Sequence, residues 1–205
     1  MKVFDLSIVI DKETPVFPGA PKLKIESVST IDKDGTNELL LNFPTHTATH
    51  IDAPFHMIKN GKKLSDFDIS HLIGDAVVID CRNRKEITLS TDELSKIIKG
   101  DIVLLFTSYI SKFKSPDYFI DYPILSEATA HALAEKQIRI VGMDSPSPDK
   151  SPYTIHKILL KKEIMILENL TNLGSLVGKR FKCVIAPLKI EGADGAPCRV
   201  IAMFE

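Results

Sequence analysis

The sequence predicts a single mixed α/β domain, with a mixed sheet and flanking helices, and two observations carry this prediction. Apolar and β-branched residues alternate with polar ones in about nine short segments, a pattern typical of strands. Three segments between residues 90 and 161 instead begin with helix-capping residues and continue with helix-forming ones. Strands that alternate with helices favour an α/β domain over an all-β barrel or a helical bundle.

The strand segments are distributed along the whole chain. The predicted strands span residues 3–10, 23–29, 38–43, 76–80, 102–106, 138–143, 164–167, 181–188 and 199–204. No repeat or linker separates them, and a chain of 205 residues suits one core because single cores grow to roughly 250 residues. We therefore expect residues 1–205 to form one domain.

Three helices are predicted from the residues at their N-termini. Ser90 and Glu93 have the spacing of a capping box, in which each side chain satisfies a free backbone N–H. Ser126 is the predicted cap of the second helix, and Ser151 before Pro152 is that of the third. From these caps the predicted helices continue to about residues 99, 136 and 161.

The composition excludes several classes of protein. The 26 basic and 27 acidic residues give a net charge of −1, so the chain lacks the basic excess that nucleic-acid binding requires. No apolar run reaches the roughly 20 residues that span a bilayer, and acidic residues interrupt the N-terminus before a signal peptide could form. Cys81, Cys183 and Cys198 are far apart and are expected to be free thiols. These features predict a cytoplasmic protein that binds neither nucleic acid nor membrane.

The strongest functional signal is a cluster of three histidines and an aspartate within eleven residues. In a strand, His46, His50 and Asp52 would share one face, and in a helical turn His46 and His50 would do so. Imidazole and carboxylate ligands suit zinc, manganese or iron(II) better than calcium or magnesium. The alternative is a set of polar residues satisfied by hydrogen bonds, but burying so many titratable groups without a cation is costly. The pattern predicts a metal site at His46, His50 and Asp52, with His56 close to it in the sequence.

A second cluster follows in the last third of the chain. His156 shares a predicted helix face with Leu159 and Leu160, and Glu168 ends an apolar strand where an unpaired carboxylate would be costly. Taken alone, His156 would be interpreted as a core imidazole whose hydrogen bonds are satisfied, and Glu168 as the first polar residue after a strand. Together with the first cluster they could supply the remaining ligands of a dinuclear site.

These motifs, in this order, resemble the metal-dependent cyclase family that includes bacterial kynurenine formamidase and isatin hydrolase. The resemblance covers essentially the whole chain and rests on the run from His46 to His56, and on His156 and Glu168 twelve residues apart. Further matching segments are residues 5–7, 15–19, 141–147, 187–190 and 194–197. The resemblance implies a swivelling β/β/α fold, usually assembled as a homodimer or a larger homo-oligomer, with a small-molecule substrate.

The resemblance also implies a role for each site residue. It assigns His46, His50 and Asp52 to one metal ion, and Asp52, His156 and Glu168 to a second ion, so that Asp52 bridges the two. Zinc is the expected ion, two per chain, and manganese is the alternative. The same comparison makes His56 the unligated acid/base, although His56 could also be a third imidazole on the first metal.

The substrate is less well defined by the sequence. Phe17 occupies the place of a tryptophan that often stacks on the aromatic substrate of kynurenine formamidases, so we expect it to bind substrate. Ala48 stands where glycine is common, and Phe106-Thr107 stands where an Arg-Thr pair is frequent. A core position for Phe17 is the alternative.

The predicted activity is the hydrolysis of an aryl formamide such as N-formylkynurenine. Two cations that share a carboxylate can lower the pKa of a water molecule toward 7, and the resulting hydroxide would attack the formyl carbonyl while His56 transfers a proton. Hydrolysis of a cyclic amide or lactone, as by isatin hydrolase, and metal binding without turnover are the alternatives.

Three other polar residues have less defined roles. His71 and His131 are expected to be packing or solvent-facing residues. Asp144 follows an apolar strand, where it could either orient a ligand imidazole or form a turn.

Overall fold

The fold consists of twelve strands and four α-helices within residues 1–204, which are the residues that the computed structural model describes. The strands are β1 (Lys2–Asp5), β2 (Lys24–Ser29), β3 (Glu38–Asn42), β4 (His50–Asp52), β5 (Ile73–Asp80), β6 (Glu86–Ile87), β7 (Ile102–Phe106), β8 (Ile124–Leu125), β9 (Ile140–Met143), β10 (Met165–Glu168), β11 (Arg180–Pro187) and β12 (Gly195–Phe204). The helices are α1 (Ile31–Asp34), α2 (Thr91–Ser95), α3 (Glu127–Glu135) and α4 (Thr154–Lys161). The predicted mixed α/β class is confirmed.

Seven strands form a closed, barrel-like sheet. Their order is β12, β11, β5, β7, β9, β10 and β4, and β4 pairs again with β12 to close the ring. Neighbours from β5 to β10 are parallel, whereas the pairs that involve β4, β11 and β12 are antiparallel. β1 adds to the outer edge of β12, while β2 with β3 and β6 with β8 form two separate two-stranded sheets.

Two apolar cores lie on opposite faces of the closed sheet. One contains alternate residues of the strands, including Ile51, Leu104 and Val200, together with Leu6 and Leu170 from adjoining segments. The other joins the opposite faces of β5, β7 and β9 to the buried sides of α3 and α4. Burial on both faces explains why the central strands read as continuous apolar runs in the sequence.

The strand predictions are correct for the long elements and miss the shortest ones. Nine predicted strands match β1, β2, β3, β5, β7, β9, β10, β11 and β12, with differences at the ends. The first strand stops at Asp5 instead of residue 10, because the Asp5 carboxylate accepts a hydrogen bond from the Ser7 N–H at 3.1 Å and turns the chain. The last strand begins at Gly195 instead of residue 199 because its first residues pair with β4.

The first two predicted helices have the expected caps. Ser90 accepts a hydrogen bond from the Glu93 N–H and Glu93 from the Ser90 N–H, and Ser126 caps α3 through Thr129. Helix α2 is nevertheless shorter than the predicted span of residues 90–99. Asp101 accepts a hydrogen bond from the Ile98 N–H at 2.8 Å, which turns the chain toward β7.

The start of the third helix was predicted wrongly. Helix α4 begins at Thr154, preceded by Tyr153 in the left-handed region at φ 62°, and the side chain of Ser151 does not cap it. The Asp149 carboxylate instead accepts hydrogen bonds from the N–H groups of Ile155 and His156. Its negative charge is favourable beside the partial positive charge of a helix N-terminus.

The three cysteines are buried free thiols, as predicted. Burial raises the pKa of Cys81 and that of Cys183 to about 12, so both are protonated at neutral pH. Within residues 1–204, none of the helices combines the length and the apolar character needed to cross a membrane.

Leu104, at the centre of β7, provides a test of the inner core. Its side chain is fully buried, so Leu104→Ala should lower the free energy of unfolding by about 2–5 kcal/mol. Leu188→Ala is the matched control, because Leu188 is 52% exposed and its change should stay within about 0.5 kcal/mol. Urea titrations of both variants measure the difference, and equal losses would contradict the assigned core.

Candidate metal centre

The short strand β4 positions two of the predicted ligands. It lies between β10 and β12, with His50 directly opposite Glu168 in the antiparallel register and Asp52 opposite Gly195. Side chains at alternating positions of a strand share a face, and directly opposed residues of antiparallel strands lie close together. His50, Asp52 and Glu168 therefore converge, and all three are buried.

His46 and His56 approach Asp52 from the segments on either side of β4. His46 Nδ1 lies 2.8 Å from Asp52 Oδ1, and His46 Nε2 lies 2.8 Å from Asp194 Oδ2. His56 ends the 3₁₀ helix Pro54–His56, and its Nδ1 lies 3.3 Å from the same Asp194 oxygen. A Cβ atom at Gly195 would lie 2.6 Å from the carbonyl oxygen of Ile51 and 2.9 Å from His46 Cε1, so glycine leaves room for both the β4 backbone and this imidazole.

His156 enters the site from the first turn of α4. Its Nδ1 lies 2.5 Å from Asp149 Oδ1, and the Asp149 carboxylate also accepts the two N–H groups at the start of the helix. One buried carboxylate thus fixes both the helix end and the orientation of the imidazole. Metal-binding histidines commonly have such a partner on the other ring nitrogen.

His50 and His156 present their Nε2 atoms to the same two carboxylates. His50 Nε2 lies 3.4 Å from Asp52 Oδ1 and 3.3 Å from Glu168 Oε2. His156 Nε2 lies 3.6 Å from Asp52 Oδ2 and 3.5 Å from Glu168 Oε1. Each carboxylate therefore directs one oxygen toward each imidazole.

This arrangement fits a metal ion. His50 Nδ1 lies 2.8 Å from the carbonyl oxygen of Ala48, which accepts its hydrogen, so Nε2 of the neutral ring has a lone pair. Among residues 1–204 that Nε2 atom is buried and has no hydrogen-bond partner. A lone pair facing two anionic oxygens is unfavourable unless a cation lies between them. Tetrahedral zinc with bonds of about 2.0–2.1 Å holds its donor atoms about 3.3–3.4 Å apart, close to the separations observed here.

The electrostatics of the site also favour a cation. Burial opposes the charge on His46, but Asp52 and Asp194 outweigh it and raise its pKa to about 10. Burial likewise opposes charge on His156, yet its hydrogen bonds to Asp149, Asp52 and other acids raise its pKa well above the usual value. Without metal, the protons held on the His46 and His156 rings therefore offset the charge of the ionised carboxylates, and a bound cation would replace those protons.

His56 differs from the other two imidazoles in its charge. Burial lowers the pKa of His56, and the positive charges on His46 and His156 lower it further, while Asp52 acts in the opposite direction. His56 is therefore neutral at pH 7. One donor atom each from His46, Asp52 and His56 lies within 4.8 Å of the others, as is also true of His50, Asp52 and Glu168.

An aromatic cavity of about 310 Å³ adjoins these side chains. Phe17 contributes to its wall and packs edge-on against Phe119 with ring centroids 5.5 Å apart. The apolar part of the lining also includes Met57, Phe113 and Tyr153. Among the described residues that line the cavity there is neither lysine nor arginine.

The structure thus brings together all six residues of the two predicted clusters and adds others that the sequence did not reveal. Asp149 and Asp194 were missed because acidic residues in loops carry no distinctive spacing. Asp144 does not contact an imidazole, since its carboxylate accepts hydrogen bonds from Thr107 and Ser108. His131 is exposed on α3, and the His71 ring packs against Phe67, 5.0 Å between ring centroids.

The comparisons with known proteins agree with this fold and identify the family. The Cyclase family profile matches residues 4–150. This chain belongs to the Cyclase family. It is 32% identical over 204 residues to a kynurenine formamidase of Bacillus anthracis, and the match covers 98% of this chain and 96% of that relative.

Two solved structures that are similar to this Cyclase member are hydrolases by name. A potential metal-dependent hydrolase with cyclase activity is 30% identical, with a TM-score of 0.83 over 98% of this chain and 96% of the other. An isatin hydrolase bound to the product analogue thioisatinate is 25% identical, with a TM-score of 0.90 over 99% of this chain and 92% of the other. The donor groups and these relatives together support a metal site in this chain.

Asp149 provides a test of this metal centre. Asp149→Asn should weaken metal affinity about 10- to 100-fold, because loss of the carboxylate leaves the His156 ring less firmly oriented. Competition titrations with zinc and a chromophoric chelator measure the affinity. Asp144→Asn is the control, since Asp144 is equally buried but bonds to no imidazole. A weaker affinity in the control alone would contradict the assigned role of Asp149.

Proposed function

We propose that this chain is a metal-dependent hydrolase of an aryl formamide of the N-formylkynurenine type. The observation that carries this proposal is the pair of imidazoles, His50 and His156, that face two shared carboxylates beside an aromatic cavity. The kynurenine formamidases related to this chain at 31–34% identity support the choice of substrate class.

Two zinc ions per chain fit the donor groups, with manganese as the alternative. His46 and His50 lie on the Oδ1 side of Asp52, and His156 lies on its Oδ2 side. Asp52 would therefore bridge the ions, and the two oxygens of Glu168 face the same two positions. When bound, such ions lower the pKa of a water molecule and polarise a carbonyl group.

His56 is the residue that we assign to proton transfer. Its ring lines the cavity, and Asp194 lies 3.3 Å from its Nδ1, so the carboxylate holds the ring at the edge of the metal centre. In this position the neutral ring can accept a proton from the attacking water molecule and then deliver it to the amine nitrogen as the C–N bond of the formamide breaks. A ligand role for His56 on the first metal is the alternative.

The cavity orients the aromatic part of the substrate. Aromatic rings stack favourably on Phe17 and Phe119, whose edge-on contact forms one wall of the cavity. The carboxylates and imidazoles lie together in the remainder of the lining. A ring bound on the aromatic wall would therefore direct its formyl group toward the metal centre.

A second candidate is the hydrolysis of a neutral cyclic amide or lactone. Among the described residues the cavity lining contains neither a lysine nor an arginine to pair with the carboxylate of an amino-acid substrate, and isatin carries no such group. The related isatin hydrolase has this activity by name.

Reconstituted protein decides between these activities. Metal-free protein is loaded with zinc or manganese, its metal content is counted, and turnover is measured on N-formylkynurenine, formanilide, isatin and an aryl lactone. We expect two ions per chain and efficient hydrolysis of the formamides. In the Asp52→Ala variant we expect both ions to be lost, because Asp52 would serve both of them. Turnover of isatin or the lactone alone would favour the second candidate. Full metal content without any hydrolysis would indicate a metal-binding protein and overturn the proposal.

His56→Ala should separate proton transfer from metal binding. We expect normal metal content and a turnover number lower by about 10²- to 10⁴-fold, because the proton carrier contributes to the transition state. His131→Ala is the control, since His131 lies exposed on α3, and it should retain full activity. Loss of metal from His56→Ala would instead make His56 a ligand.

Phe17→Ala should affect aromatic substrates selectively. Loss of ring stacking worth about 0.5–1.5 kcal/mol lowers kcat/KM for N-formylkynurenine roughly 2- to 13-fold, whereas a small aliphatic formamide should be affected far less. Phe4→Ala is the control, because Phe4 packs against Phe204 and does not line the cavity. Equal losses of kcat/KM on both substrates would show that Phe17 acts only in packing.

A further inference from the structure

A buried asparagine follows the candidate ligand Glu168 at the end of β10. Asn169 is 6% exposed and lines the cavity beside the metal centre. Its backbone N–H donates to the Ser145 carbonyl oxygen at 3.0 Å, and its carbonyl oxygen accepts a hydrogen bond from Thr49 Oγ1 at 2.6 Å. Because these main-chain bonds hold the residue in place, its side-chain amide is available to act on a neighbouring group.

The amide of Asn169 contacts the backbone group that holds His50. Asn169 Nδ2 donates to the carbonyl oxygen of Ala48 at 2.9 Å, and the same oxygen accepts the Nδ1 hydrogen of His50 at 2.8 Å. A backbone carbonyl oxygen has two lone pairs, so these two donors fill its acceptor capacity. Because the carbonyl group fixes the direction of the His50 ring, the amide that restrains this group also restrains the ring.

A buried tyrosine fixes the orientation of this amide. Tyr118 is fully buried, and its hydroxyl donates to Asn169 Oδ1 at 2.6 Å. The opposite amide orientation would set Asn169 Oδ1 against the Ala48 carbonyl oxygen, and neither of these two acceptors has a hydrogen to share. Both ends of the amide are therefore used, and the amide has one orientation.

The ring of Tyr118 is itself held by aromatic packing. It lies edge-on to Phe113 and Phe119, with ring centroids 5.3 and 5.1 Å away, and both of these residues line the cavity. Tyr109 stacks on the same ring at 5.5 Å and donates its hydroxyl hydrogen to the Tyr118 carbonyl oxygen. These contacts give the Tyr118 hydroxyl a fixed position behind the cavity wall.

We propose that Asn169 and Tyr118 are positioning residues for the metal ligand His50. Tyr118 orients the Asn169 amide, and the amide restrains the carbonyl group of Ala48. That group holds the His50 ring with Nε2 directed at the two shared carboxylates. The proposal rests on the metal centre of the proposed function but not on its substrate.

The affinity for zinc tests the role of Asn169. Asn169→Gly removes the amide and tolerates the left-handed backbone of this position, φ 57°. We expect it to bind zinc about 10- to 100-fold more weakly, the range for residues that orient a ligand. Competition with a chromophoric chelator measures the affinity, and circular dichroism verifies folding.

Asn172→Gly is the matched control for this substitution. Asn172 is also left-handed, at φ 59°, and its Nδ2 also donates to a backbone carbonyl oxygen, that of Asp5. It should keep the zinc affinity of the unaltered protein. No loss of affinity in Asn169→Gly, or equal losses in both variants, would overturn the proposal. An unaltered protein that binds no zinc would overturn the proposed function as well, which distinguishes the two failures.

Tyr118→Phe tests the connection between the two positioning residues. Loss of one neutral hydrogen bond should weaken zinc affinity about 2- to 13-fold. In the Asn169→Gly protein the same change should have no further effect, because the hydroxyl then has no amide to orient. A double-mutant cycle measures this coupling. Losses that multiply would show that the two residues act independently, and would overturn the proposal.

Exchange of the His50 Nδ1 hydrogen with water provides a measurement that requires no metal. In metal-free protein labelled with ¹⁵N at histidine, this hydrogen should exchange several-fold faster in Asn169→Gly than in the unaltered protein or in Asn172→Gly. The Nδ1 hydrogen of His156, which Asp149 accepts, is the internal reference and should be unaffected. Unchanged exchange at His50, or equally faster exchange at His156, would overturn the proposal.

Discussion

The pairing of β4 with both β10 and β12 is the interaction on which the rest of the structure depends. These backbone hydrogen bonds close the sheet, and the same register sets His50 opposite Glu168 and Asp52 opposite Gly195. The strand is only three residues long, and two of its residues belong to the candidate site. The same strand pairing therefore closes the barrel and sets the positions of the candidate ligands.

The cost of this arrangement is a concentration of buried negative charge. Asp52, Asp149 and Glu168 are all buried within a small volume, and imidazoles are their principal partners. Charged groups in such surroundings require compensation. A divalent cation would provide it, and because the ligand set forms only in the folded chain, metal binding and folding stability are thermodynamically linked.

The sequence predicts the parts of this protein whose signals are local and repeated. Strands such as β7 and β11 have long apolar patterns, and the density of histidines around His50 identifies the site before any fold is known. Strand β4 is too short to show a period, so barrel closure could not be predicted. The role of Asp149 depends on its contact with the first turn of α4, and Ser151 has the better local cap pattern. The aromatic residues Phe113 and Phe119 lie in a segment without a clear period and reach the cavity only through the tertiary fold.

Ala48 shows how little free energy separates alternative residues beside this site. Its backbone lies in the left-handed region at φ 53°, which costs an alanine about 1 kcal/mol relative to glycine. Its buried methyl group, which packs in the cluster that contains Tyr118, offsets about 0.8 kcal/mol of that cost. The two residues are therefore nearly equivalent for stability. Either residue leaves the backbone carbonyl group of position 48 in place to hold His50, so the ligand's orientation does not depend on which side chain is present.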